Sequence, residues 1–271
     1  MRNTLAIARK ELSIYFTTPI AYAMFGGMTF IAGMMFLAAL GYFQQVSVQF
    51  MSFRQPEMLE RLNLTDMVTT PLMMNVGVIF LFICPFLAMR LVAEEKRNRT
   101  FELLMTTPLR PWEIMAGKLL AALALMLVAV LLLAIFPLLV DYFGSSGTFL
   151  SSAKGTGGVL DWATVGSGLF GLFLVGAAMM AIGMFISSLT ESVVLAAFAT
   201  FVVLLMLWIL GWQAGRMEGN ARAILDFVSM PSHLTAFVKG DPALKDLVYF
   251  LSFLLFFPFL TERAIEAQRW G

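Results

Sequence analysis

Four stretches of the sequence, residues 67–89, 119–140, 162–190 and 192–215, contain no Asp, Glu, Lys or Arg. A helix crossing a hydrocarbon core of roughly 30 Å needs about 20 apolar residues, and each stretch is that long. Backbone polar groups in lipid must be satisfied within the segment, so each reads as one spanning helix. Two further candidates flank them. Residues 12–53 are too long for one crossing, and their continuous apolar block covers 19–43. Residues 247–261 lie between Asp246 and Glu262 and reach only about 22 Å at helical rise. There Lys245 and Arg263 must snorkel, or Glu262 must sit inside protein. The expectation is an all-α membrane protein, one transmembrane domain over residues 1–271. Its six transmembrane helices lie near 19–43, 67–89, 119–140, 162–187, 192–213 and 247–262.

Composition narrows the function. Charged residues are 13% and hydrophobic residues 60% of the chain, whereas a soluble domain carries about 25% charged. A soluble enzyme and a disordered chain are excluded. Lys and Arg number 18 against 17 for Asp and Glu, so no basic excess attracts nucleic acid. One cysteine, Cys84, forms no intramolecular disulfide, and one histidine, His233, cannot build a multi-histidine metal site. The methionine pairs Met34-Met35, Met73-Met74 and Met179-Met180 offer soft ligands for Cu(I). Flexible Met is also the ordinary gap-filler of packed helices, and that is the reading adopted. No catalytic, cofactor-binding or metal-binding residue is expected.

Six crossings put both termini on one side. With the termini inside, 11 of the 18 basic residues are cytoplasmic, six of them in segment 90–118. The positive-inside bias therefore places both termini in the cytoplasm and segment 141–161 outside. Residues 2–18 carry Leu5, Ala8, Leu12, Tyr15 and Phe16 at helical spacing beside Arg9, Lys10 and Glu11. They read as an interfacial helix ahead of span one, rather than an extension of it. Thr17-Thr18-Pro19 ends it, since proline disfavours helix at the residue before it. Residues 44–66 and the Gly- and Ser-rich 141–161 read as outside loops. Residues 188–192 make a tight inside turn, and 216–245 form the longest outside connection, with enough apolar residues for short helices.

Segment 90–118 has ordered character. Charges at Glu94, Glu95, Lys96, Arg97 and Arg99 precede Phe101, Leu104 and Met105 on one helical side. Thr107-Pro108 stops that helix, and Pro111 suits the first turn of another, with Glu113 near its positive end. Two helices meeting at a proline corner suit docking of a soluble partner.

The run Pro85 to Arg90, Glu94-Glu95, Thr100-Phe101-Glu102-Leu103-Leu104, Pro108-Leu109, Glu113-Ile114 and Gly117-Lys118 resembles permease subunits of the type-two ABC transporter family. The likeness is nearest to the gliding-motility type and its copper-enzyme-maturation relative. It extends to Arg9-Lys10-Glu11-Leu12, Pro19-Ile20-Ala21-Tyr22, Ile186 to Glu191 and Asp246 to Leu251. The resemblance implies a six-helix exporter permease of the bacterial inner membrane that dimerises with a second copy or a paralogue. It implies cytoplasmic ATPase subunits as partners, which bind ATP and Mg, and it leaves room for a periplasmic accessory subunit. Glu94, Glu95, Glu102, Leu104, Pro108, Leu109 and Glu113 would form the ATPase-coupling region, and Thr190 and Glu191 a second contact. The outside loop before span six would hold short helices dipping into the outer leaflet. The family commonly has Gly where this chain has Arg99, which implies a straighter helix there.

Other chemistries fail on residues. A phosphate loop needs Gly-x-x-x-x-Gly-Lys-Ser/Thr, but Gly117-Lys118 is followed by Leu119 and preceded at position 112 by Trp. ATP hydrolysis is therefore expected from a partner. An intramembrane hydrolase would need Ser167, between two glycines, to meet His233, which reads as an interfacial loop residue. The span-four glycines 166, 168, 171, 176 and 183 read as a close-packing face. Asn75, polar within span two, reads as a bond to a neighbouring helix or a pathway residue. A non-transport anchor or force-transmitting subunit on the same scaffold is the alternative function.

Overall fold

The computed structural model describes residues 2–52, 64–100, 111–145, 160–214 and 218–270. Every regular element among them is helical, and six helices are long and apolar enough to cross a membrane. Helix α1 (Arg2–Thr17) precedes α2 (Pro19–Ser52), the first span. One π-helical turn (Thr65–Thr69) leads into α3 (Thr70–Ala88), the second. After the short α4 (Ala93–Arg97) come α5 (Pro111–Ser145), α6 (Trp162–Leu189) and α7 (Val193–Ala214). The short helices α8 (Asn220–Val228) and α9 (Met230–Val238) precede α10 (Leu244–Trp270), the sixth span.

Several helices outrun their apolar stretches. α2 continues to Ser52, so residues 44–52 are helix and not loop. No Gly or Pro interrupts the chain there, and at 1.5 Å per residue α2 rises about 50 Å, well beyond the ~30 Å core. The helix opened by Pro111 runs unbroken into the third span. The short apolar stretch 247–261 is the middle of the 27-residue α10, whose far end carries the exposed Arg263–Glu266 pair at 2.8 Å.

α6 is the centre of the bundle. It packs against α3, α5, α7, α9 and α10, and 78% of its apolar window is buried, against 22% for α2, α7 and α10. Small residues make this possible. A Cβ on Gly171 would strike Phe237, one on Gly176 would lie 2.8 Å from Met126 Sδ, and one on Gly183 would meet Ala88. Helices without side-chain bulk approach closely, which is how spans associate where lipid removes the hydrophobic drive. Gly166 has open space at its Cβ and takes no part in that face.

At one end of the bundle α1 lies along α5. Its buried face is Thr4, Ala8, Glu11 and Tyr15, while Leu5 is 69% exposed and so does not belong to it. Ile7, Ile114, Met115 and Ile265 close a small apolar cluster joining α1, α5 and α10.

At the other end His233 is buried in α9 rather than set in an interfacial loop. Its Nδ1 lies 2.6 Å from Asp246 Oδ1 on α10, and its Nε2–H donates to the Phe227 carbonyl at 2.9 Å. That carbonyl needs an outside donor because α8 ends at Val228 and its last carbonyls have no intrahelical partner. Tyr249 stacks on the imidazole, ring centres 4.0 Å apart, and its hydroxyl donates to the Val228 carbonyl at 2.7 Å. The end of α8 is thus capped by side chains from α9 and α10. With Nε2 committed to a carbonyl, His233 activates no serine, and the hydrolase reading has no geometry to rest on.

Candidate functional site

The site grows from the break after span two. Pro85 sits in the last turn of α3, which stops at Ala88. Leu91, Val92 and Ala93 are then fully buried, which anchors the turn to the bundle. α4 begins without a cap of its own, because Val92 in the capping position has no acceptor. Ser187, near the end of α6, supplies one from another helix. Its Oγ accepts from Val92 N–H at 3.2 Å and Ala93 N–H at 2.9 Å and donates to the Met89 carbonyl at 3.0 Å. One hydroxyl has one proton and two lone pairs, and here all three are used. At the other end of α4 the Lys96 ammonium donates to the Ser188 carbonyl. The last carbonyls of a helix lack intrahelical partners and carry the negative end of its dipole, so a cation suits them.

α4 ends in a left-handed turn. Asn98 N–H reaches the Glu94 carbonyl and Arg99 N–H the Lys96 carbonyl, both at 3.0 Å, and Thr100 Oγ1 donates to the Glu95 carbonyl at 3.3 Å. Arg99 has φ +55°. The expected straighter helix is absent: the turn demands the conformation that glycine adopts freely, and Arg99 takes it regardless.

A buried charge cluster ties this turn to α1 and α5. Lys118, 1% exposed, lies 3.1 Å from Glu11 Oε1 and 2.9 Å from Glu95 Oε1. Lys10 adds bonds of 3.3 Å to Glu11 and 3.5 Å to Glu95. Burial draws the Lys10 ammonium down, but the charges and bonds of Glu11 and Glu95 outweigh it, so it titrates above its ordinary value. Alongside, Arg90 holds Glu94 through two bonds of 2.7 and 3.2 Å. Arg90 also lies over the Tyr15 ring, whose hydroxyl donates to the Leu87 carbonyl at 2.7 Å. Buried ions persist only when paired, and this arrangement pairs each of these carboxylates with a cation.

The expected coupling residues separate on this geometry. Glu94 and Glu95 face inward and are occupied by Arg90, Lys118 and Lys10. Glu113 is half-buried in the first turn of α5. Thr190 Oγ1 accepts from Ser192 N–H at 3.2 Å and so shapes the α6–α7 turn, while Glu191 is exposed. Glu102, Leu104, Pro108 and Leu109 lie outside the described residues. Asn75 makes no described bond to a neighbouring helix. It is exposed on a stripe of α3 with Pro71, Val78, Phe82 and Phe86.

Sequence reasoning missed Glu11, Lys118, Ser187 and Lys96 as structural partners. The clue for Lys118 was a cation seven residues inside the helix that Pro111 opens. For Glu11 it was a carboxylate at the Thr4, Ala8, Glu11, Tyr15 spacing of one helix face. Ser187 left no clue, because a serine near a span end looks the same whether or not it bonds another helix. Among the described residues no group of three or more His, Cys, Asp or Glu side chains could hold a metal ion.

Comparison with protein families matches residues 5–265 to the one described as ABC-2 family transporter protein. No curated protein matches the sequence.

Proposed function

Because the chain belongs to the ABC-2 transporter family, and so is a membrane permease component of an ABC transporter, we propose that it forms the pathway of an ATP-driven exporter, as a dimer, in a bacterial inner membrane. ATP and Mg are held by separate cytoplasmic ATPase subunits, and both termini face them. The likeness of the 85–118 run to the gliding-motility type supports placing the chain in that branch of the family.

The observation that carries this reading is the junction at the α4 end of the bundle. There α1, α4, α5 and the α6–α7 turn meet, and Arg97, Arg99 and Glu191 stand exposed around it. These exposed charges, with Glu102 and Glu113 in the coupling segment, make the ATPase contact. Glu94 and Glu95 hold the frame behind it. ATP binding closes the two ATPases, each moves its docked junction, and the spans rock as rigid bodies. The coupling is no larger than the difference in interaction between the two states.

Spans one, two and five face the second copy and the pathway. Asn75 supports this. A polar side chain on an outward helix face is costly against lipid and is at home in a water-filled path or a protein interface. Charge reversal tests the docking. Arg97→Glu with Glu191→Lys should give a folded permease that no longer co-purifies its ATPase or stimulates hydrolysis. Intact assembly and activity in that variant and in Glu102→Lys would reject the coupling surface.

A further inference from the structure

α4 is the shortest α-helix among the described residues, yet it sits where force from a soluble partner would enter the bundle. Five residues cannot hold a position by themselves, since one helical turn barely offsets the entropy of forming it. What holds α4 is borrowed from α6. The Ser187 hydroxyl caps its first N–H groups and binds the carbonyl that ends span two. Lys96 is bonded to the Ser188 carbonyl one residue further along α6. Glu191, just beyond, lies near enough for its charge to act on the Lys96 ammonium. Both ends of α4 are therefore fastened to residues 187–188, and its covalent link to α3 is the non-helical stretch 89–92.

We infer that Ser187 and Lys96 are positioning residues that make α4 and the α6–α7 turn one mechanical unit, so that displacement of the coupling segment enters spans four and five directly. This rests on the ATPase-coupled reading above and names the residues through which that site acts. α6 is the helix best placed to receive the motion, because it touches α3, α5, α7, α9 and α10 at once. Glu11, Lys118 and Glu95 fasten α4 also to α1 and α5.

Spin labels at Asn98→Cys and Leu189→Cys, both exposed positions, in a Cys84→Ala background report the α4-to-turn distance by pulsed electron resonance. In the purified permease alone the distance distribution should be narrow, and Ser187→Ala or Lys96→Gln should broaden it. In the complex with its ATPase, trapped with a non-hydrolysable ATP analogue, the wild-type distance should stay unchanged. The two variants should still bind the ATPase but lose permease-stimulated hydrolysis by roughly three- to tenfold, the scale of a coupling contact. Ser187→Thr, which keeps the hydroxyl, should restore the narrow distribution, a rescue that loss of packing alone would not give. A broad distance in the wild-type permease, or one that changes on ATP binding, overturns the proposal. So does a variant that stays narrow and fully coupled. If no ATPase binds the wild type, the functional reading fails, while the distance in the isolated permease still decides whether α4 and the turn form one unit.

Discussion

Lys118→Ala tests whether the charge cluster at the α4 end is a buried ion site or solvated decoration. The Lys118 side chain is 1% exposed, and Glu11 and Glu95 are 8% and 15% exposed. Removing the ammonium leaves two largely buried carboxylates with only Lys10, itself 55% exposed, to balance them. Breaking a buried pair from one side costs about 3–5 kcal/mol, because the remaining charge keeps its desolvation penalty and loses its partner. The internal control is Arg263→Ala, which removes a pair with side chains 61% and 36% exposed; such surface pairs contribute about 0–1 kcal/mol. Both variants would be measured as purified permease in detergent or nanodiscs, by thermal melting and by a free-energy method such as steric trapping. Lys118→Ala should fall well below wild type and Arg263→Ala should lie near it. The double variant Lys118→Met with Glu95→Gln should recover part of the loss, because it removes one of the two orphaned carboxylates and leaves Lys10 to balance Glu11. Equal effects of Lys118→Ala and Arg263→Ala, or no recovery in the double variant, would refute the buried-ion assignment. It would also return Glu95 to the pool of surface docking charges.

Two more expectations concern the backbone and pH. Arg99→Gly should stabilise the protein by about 1 kcal/mol, since a left-handed residue with a Cβ is strained by roughly 1–2 kcal/mol and glycine returns part of that gain as unfolded-chain entropy; a lower melting temperature would mean that the Arg99 side chain makes a contact outweighing the strain. Asp161 caps α6, accepting from Thr164 Oγ1 at 2.7 Å and Ala163 N–H at 3.1 Å, and these bonds hold its carboxyl below the usual range. Its stabilisation is present above the ordinary carboxylate value of about 4 and is lost as pH falls through the lowered one. Wild type should therefore lose stability relative to Asp161→Asn on acidification; a gap that does not change with pH would show that the cap does not depend on the charge.

The sequence by itself determined what lipid determines. Charge-free runs such as 67–89 and 162–190 must be helices, because a backbone in hydrocarbon has no water to bond, so the number of spans and the tight 188–192 turn were readable. Close packing by the span-four glycines other than Gly166 was readable too, since a missing side chain has few other uses at that density. Local pattern also marked the short helices before span six. It could not mark partners. Glu94 and Glu95 stand in a charged run that reads as exposed, and only tertiary structure brings Lys118, more than 20 positions away, and Lys10, more than 80 away, against Glu95. His233 read as an interfacial loop residue, whereas the end of α8 offers it a bare carbonyl and Asp246 comes within 2.6 Å from another helix. Arg99 read as a straighter helix, whereas the turn it occupies is set by how α4 is fastened to α6. Each of these side chains has the same local sequence whether it meets water or a partner. Which of the two it meets is decided by long-range helix packing, a property of the whole bundle and not of any window of residues.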